Sequence, residues 1–211
     1  MKPKTALLLL NGELRAPRRV RAAARTADIL VCADGGARHA KRLGLTPDFI
    51  VGDMDSLPKP VPRAWMKTRY WCDFNLERSD IDKSLDFIRA RGVRRVTVAG
   101  AFGGGLDHEL VNFASFETCA KEMELSVIGA GTALLLGCGR HRVALRPGAR
   151  FSLLAAPRAR LSLSGARYRL NNEVLVRGSR GLGNRAQGPV TLSLMEGRAW
   201  MLSAKSALEE L

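Results

Sequence analysis

No apolar stretch in this sequence is long enough to span a bilayer. Runs such as Ala6–Leu10 and Ala133–Leu136 fall far short of the roughly 20 residues a membrane helix needs. The start, MKPKTALLLLNGELR, is basic and then briefly apolar. It lacks the long apolar region and small-residue cleavage site of a leader, so Thr5–Leu10 is expected to be a first strand. Cysteine is sparse: Cys32, Cys72, Cys119 and Cys138 are scattered and form no C-x-x-C pair. That argues against a zinc ribbon or a redox motif and makes reduced thiols in a cytoplasmic setting the expectation. Aromatics are only 6% of the chain, and neither an RNA-binding signature nor a zinc finger is present. Despite the formal net charge of +14, no specific nucleic-acid partner is expected. Much of that charge reads as solvated surface, with a minority facing a phosphate-bearing ligand. The dinucleotide fingerprint G-x-G-x-x-G and the phosphate loop G-K-[ST] are missing as well.

What the chain does have is an ordinary soluble balance, 46% hydrophobic and 26% charged over 211 residues, enough for one large domain or two small ones. Its character changes near residue 130. Before that point TALLLL, DILVCADGG, DFIVGDMDS, RRVTVAGAFGGG and LSVIGA alternate with helix-like stretches. In SDIDKSLDFIRARG, Ile81, Leu85 and Ile88 recur at helical spacing and Gly92 ends the run. Strands alternating with helices predict an α/β domain built on a parallel sheet over 1–130. Over 131–211 short strands punctuated by Gly, Pro and Asn predict a small antiparallel β-sandwich, with Met195-Glu196-Gly197-Arg198 as a hairpin turn and helical periodicity returning only in the last residues.

In open parallel sheets ligands sit beyond the carboxyl ends of the strands. Three such ends carry unusual residues: Asp34-Gly35-Gly36 after Ile29–Cys32, Asp53 and Asp55 after Phe49–Val51, and Gly103-Gly104-Gly105 after Val96–Ala99. Two close carboxylates repel and resist desolvation, so Asp53 and Asp55 point to a cation, a shared proton or open water. The glycines allow backbone N–H groups to approach a phosphate, and they equally suit tight strand-to-helix turns. Ser79 and Asp82 fit a helix-capping box without further chemistry. Asp80 shares a helix face with Lys83 and Ser84 that can look toward the rim. Asp107 is a candidate N-cap for a helix over Asp107–Cys119. His39 and His108 read as structural or solvated, with no catalytic role.

The order CADGGA, PDFIVGDMDS, ERSDIDKSL, GAFGGGLDHELVN resembles the thiamine pyrophosphokinase family, and ARYRLNNEVLVRGSRGLGN resembles that family's C-terminal β domain. The resemblance implies an N-terminal domain binding ATP and Mg²⁺, a β domain binding thiamine, and a homodimer with active sites between subunits. It also implies Mg²⁺-dependent transfer of pyrophosphate from ATP to a primary hydroxyl, releasing AMP, with no membrane involved. On this resemblance Asp53, Asp55, Glu77 and Asp80 hold the metal. Asp34, Gly35, Gly36, Gly103 and Gly104 surround the nucleotide, and Gly183 and Asn184 line the acceptor site. Lys83 assists by neutralising charge, and either Asp80 or Asp107 takes the hydroxyl proton. Three positions depart from the family pattern. Glu77 stands where many members have Asp, Gly105 replaces an Arg that would donate to phosphate, and Gly183 replaces a Ser. The rival readings are a pyrophosphokinase for another hydroxymethyl heterocycle such as a pterin, and a nucleotide- or nucleic-acid-binding homologue with weakened catalysis.

Overall fold

The computed structural model describes residues 4–119 and 123–204, and the architecture is mixed α/β. Two compact units divide the chain, 1–129 and 130–211. The first carries strands β1 (Lys4–Leu9), β2 (Ile29–Ala33), β3 (Phe49–Gly52), β4 (Arg69–Cys72), β5 (Val93–Ala99) and β6 (Glu124–Ile128). Its helices are α1 (Pro17–Thr26), α2 (Ala37–Leu43), α3 (Asp80–Ala90) and α4 (Leu106–Cys119). The strands lie in the order β6-β5-β1-β2-β3-β4, every pair parallel.

Parallel strands joined through helices are covered on both faces, and this explains their near-continuous apolar runs. Leu7, Leu8 and Leu9 of β1 are fully buried. Leu7, Cys32, Ile50, Val20 and Trp65 belong to one buried cluster. Local signals set the helix ends. Pro17 opens α1, where its missing N–H costs nothing. Gly44 closes α2 in the left-handed conformation at φ 67°. Ser79 caps α3 by accepting from the Asp82 N–H at 3.4 Å, and its hydroxyl donates to Asp82 Oδ2 at 3.0 Å. Ile81, Leu85 and Ile88 are buried as the helical spacing predicts.

The Gly105 carbonyl accepts from the Glu109 N–H at 3.0 Å, the first bond of α4. The N-cap therefore falls on Gly105, not on Asp107, which sits exposed in the first turn. Strand β4 has no buried residue. It is the sheet's edge, so it carries no apolar alternation by which a sequence pattern would announce it.

The second unit holds β7 (Gly131–Leu136), β8 (Gly139–Val143), β9 (Arg150–Ala166), β10 (Leu170–Val176) and β11 (Asn184–Ala204). β7 and β8 both pair antiparallel with β11, and β10 pairs antiparallel with β9. Along β11, Thr191 faces Ser164, Leu194 faces Leu161 and Trp200 faces Leu154, so partner numbers fall as its own rise. Alternate residues of β9 and β11, among them Phe151, Leu153, Leu161, Leu163, Leu192 and Met201, form this unit's core.

The hairpin expected at Met195–Arg198 does not form. β11 runs through it, and Gly197, at φ 73°, absorbs a bulge where a Cβ would lie 2.1 Å from the Arg158 carbonyl oxygen. RFSLLAA and RLSLSG, two strands by sequence, are one continuous β9. The helical periodicity expected at the end of the chain falls on 205–211, outside the described residues. Cys32 is buried, Cys72 and Cys138 are exposed, and all three are free thiols.

Candidate active site

The strand ends of the first unit open on a cleft of about 480 Å³. Asp34 follows β2 in a short 3₁₀ turn, Asp53 and Asp55 follow β3, and Asp80 begins α3. One carboxylate oxygen each from Asp34, Asp53 and Asp80 lies within 4.8 Å of the other two. Asp34 is only 2% exposed. Its Oδ2 accepts the Ser56 N–H at 3.1 Å, while its buried Oδ1 has no hydrogen-bond partner among the described residues. Burial, above all, pushes the Asp34 carboxyl up to about 6, helped by the charges of Asp80 and Asp55. The Asp80 carboxyl is raised mainly by burial and also by Asp53, against the pull of Lys83.

Lys83 is buried, its Nζ donating to the Asp73 carbonyl at 2.9 Å and reaching Asp80 Oδ1 at 3.5 Å. An orphaned buried oxygen and three converging carboxylates fit a hard divalent cation with oxygen ligands.

Gly52 makes this convergence possible. Its φ is 147°, and a Cβ there would stand 2.8 Å from Asp34 Cβ and 3.0 Å from Asp80 Oδ1. Gly52→Ala is expected to push the carboxylates apart. Metal-dependent activity should fall by at least an order of magnitude, with a melting temperature several degrees lower, in steady-state assays and thermal melts.

The other expected site residues divide. Asp55, Gly35 and Gly104 border the cleft. Asp55 is exposed and outside the three-oxygen group; its N–H donates to Asp53 Oδ1 at 3.3 Å. Gly36 lies against β1, where a Cβ would sit 2.0 Å from the Leu9 oxygen, so close packing accounts for it. The Gly103 N–H is committed to Glu109 Oε1 at 2.7 Å. Glu77 is exposed and lies outside both the cleft wall and the three-carboxylate group. Asp107 does not border the cleft either; its Oδ1 folds toward Gly105, 2.3 Å from where a Cβ would be. Residues not anticipated from sequence also line the cleft, among them Asn11, Arg78, Glu109 and Asn112. Arg78 is bonded to Asp86. Asn11 follows a strand end as Asp34 does, and Glu109 and Asn112 are one helical turn apart, so both signals were present.

In the second unit a cavity of about 290 Å³ is lined by residues including Tyr168, Glu173, Arg180 and Asn184. Asn184 is buried, and its side chain is spent on backbone. Its Oδ1 accepts from the Tyr168 and Arg185 N–H groups at 3.1 and 2.8 Å, and its Nδ2 donates to the Tyr168 carbonyl at 2.8 Å. Gly183 adopts φ 70° and donates its N–H to Ser152 Oγ at 3.1 Å.

Comparison with known protein families matches a model described as thiamin pyrophosphokinase, catalytic domain, to residues 20–128, 109 of the 211 residues. The chain belongs to the thiamin pyrophosphokinase family. The match spans every carboxylate of the cleft. Among solved structures, the fold is shared with thiamine pyrophosphokinase from Bacillus subtilis at TM-score 0.79 and 20% identity, covering 96% of this chain and 99% of that one. The enzyme from Geobacillus thermodenitrificans superposes at 0.78 with 22% identity, covering 95% and 97%. The enzyme from Candida albicans does so at 0.79 with 17% identity, covering 97% and 90%. Comparison with curated proteins found no match. No helix among the described residues is long and apolar enough to cross a membrane.

Proposed function

We propose that this member of the thiamin pyrophosphokinase family transfers pyrophosphate from ATP to the hydroxyl of thiamine, giving thiamine diphosphate and AMP, with Mg²⁺ as the metal. The observation that carries the reading is the meeting of Asp34, Asp53 and Asp80 within 4.8 Å in the family-matched unit. These three carboxylates would hold Mg²⁺, which when bound neutralises charge on the triphosphate and on the group in transfer.

The chain's own residues do the rest by position. The Ser56 N–H orients Asp34, and Lys83 orients Asp80 while offsetting negative charge beside it. Of the two carboxylates expected to take the hydroxyl proton, Asp80 borders the cleft and Asp107 does not. Asp80 is therefore the base in this reading. Asp55 and Arg78 complete the anionic and cationic walls of the cleft. Glu77, set outside the wall, has no metal role here.

The second unit, read as a small β-sandwich, takes the acceptor. Tyr168 is 60% exposed beside Glu173, and its ring already attracts the Arg167 guanidinium at 5.3 Å. A π face suits the thiazolium cation, and Glu173, paired with Arg180, borders the same cavity. The chain acts as a cytoplasmic homodimer in this reading, which sedimentation at micromolar concentration checks. Dialysis against a chelator should abolish AMP release, and restoring Mg²⁺ should recover it. Release unaffected by chelation contradicts the metal assignment.

The left-handed backbone at Gly183 reverses one expectation that the resemblance invites. Restoring the family's Ser there strains the turn, because an L-residue at φ 70° costs roughly 1–2 kcal/mol. Gly183→Ser should lower the melting temperature by several degrees and leave the KM for thiamine unimproved. Thermal melts and steady-state kinetics on the purified variant check both.

A further inference from the structure

The turn that follows β1 has no role so far, although it lies where the sheet topology places ligands. In the order β6-β5-β1-β2-β3-β4 the chain leaves β1 toward β2 and returns to β5 on the other side of β1. The crevice between the carboxyl ends of β1 and β5 is thus the switch point of the sheet. Its floor is bare backbone. The Leu10 N–H donates to the Ala99 carbonyl and the Gly12 N–H to the Gly100 carbonyl, both at 2.8 Å. A Cβ on Gly12 would lie 2.5 Å from the Gly100 oxygen, and one on Gly100 would lie 2.2 Å from the Leu10 oxygen.

Asn11 stands over this floor on the cleft wall. Its side chain is exposed, and no hydrogen bond of its amide is present among the described residues. The amide is nonetheless placed: a Cβ on Gly35 would be 2.6 Å from Asn11 Cγ and Nδ2, so the absence of a side chain at Gly35 is what admits it. Behind the turn, His39 of α2 is partly buried and its Nε2 lies 2.6 Å from the Gly12 carbonyl oxygen. A carbonyl only accepts, so Nε2 carries the proton and donates. Burial, above all, holds the His39 pKa below its usual range, which keeps the ring neutral. Across the crevice Asn112 Nδ2 donates to the Ala101 carbonyl at 2.7 Å and fixes the opposite bank.

Resting on the reaction proposed above, we infer that Asn11 is a contact residue for the adenine nucleotide, its free amide bonding an oxygen or nitrogen of the bound nucleotide. His39 is a positioning residue that holds the Asn11–Gly12 turn through the Gly12 carbonyl. An uncommitted amide carries both a donor and an acceptor, and the uncharged turn suits a nucleoside or phosphate oxygen without competing for the metal.

The test is calorimetric binding of AMP without divalent metal, alongside steady-state kinetics. Loss of one hydrogen bond should weaken AMP binding by Asn11→Ala roughly three- to tenfold. The KM for ATP should rise by a similar factor, with that for thiamine unmoved and the melting temperature unchanged. His39→Ala should show the same loss, and His39→Gln, whose Nε2 can still reach the carbonyl, should recover most of it. A merely structural His39 would lower the melting temperature without this split between ATP and thiamine. Equal AMP affinity in wild type and Asn11→Ala, or no AMP binding in the wild type, overturns the inference. If AMP binds with the expected dependence on Asn11 while the wild type fails to turn over ATP with thiamine, the inference stands and the proposed reaction falls.

Discussion

Asp53→Asn should reduce AMP formation from ATP and thiamine by about 10²–10³-fold, the scale for removing a preorganised electrostatic contact to a developing charge. The metal-free variant should melt at the same or a higher temperature than the wild type. Without metal, Asp53 contributes a negative charge within 4.8 Å of two others, and removing it relieves repulsion. With Mg²⁺ present the order reverses, because the wild type gains metal-linked stability that the variant lacks. Opposite shifts with and without Mg²⁺ are what a purely structural aspartate would not produce.

The same electrostatics set a pH dependence. The Asp34 carboxyl, buried and lifted from 3.8 to about 6 in the folded chain, binds a proton more tightly folded than unfolded. Its stabilising contribution is therefore fully present below about pH 4 and is lost as pH rises through about 6, on the order of 3 kcal/mol across that window. Asp34→Asn should remove this part of the metal-free protein's pH dependence, as melts between pH 4.5 and 7.5 will show.

Lys83→Met is the second substitution with a large expected effect. Lys83 is buried, and its loss leaves the Asp73 carbonyl without that donor and Asp80 without its ammonium neighbour. The orphaned groups should cost about 1–3 kcal/mol, seen as a lower melting temperature. Because Lys83 opposes the upward shift of the Asp80 carboxyl, its removal should raise that pKa further and move the acid limb of the pH–rate profile to higher pH. Lys83→Arg should not rescue it, since a planar guanidinium does not fit a site made for a compact ammonium. An unshifted acid limb would reduce Lys83 to a packing role.

Much of this was legible in the sequence because strand ends announce themselves. Apolar runs ending in CADGG and IVGDMD place Asp34 and Asp53 at one rim by topology alone, and Ser79 with Ile81, Leu85 and Ile88 places Asp80 at a helix start. Strand β4 was not legible, because an edge strand with every residue exposed carries no pattern. Gly197 misled, because a left-handed glycine serves a bulge as well as a turn, and only the pairing of β11 with β9 decides between them. Asp55 and Glu77 share the charge and neighbourhood of Asp34, Asp53 and Asp80. Their separation from the three-oxygen group depends on side-chain direction, which spacing does not encode. Asn184 likewise has the chemistry of a ligand contact, and only the structure shows its amide spent on Tyr168 and Arg185.

The most direct measurement incubates the protein with ATP, Mg²⁺ and, in parallel, thiamine or a hydroxymethylpterin, and follows AMP release and product mass. The account predicts AMP in equal amount with thiamine diphosphate, and none with the pterin. ADP in place of AMP, or a diphosphorylated pterin with thiamine untouched, would contradict it.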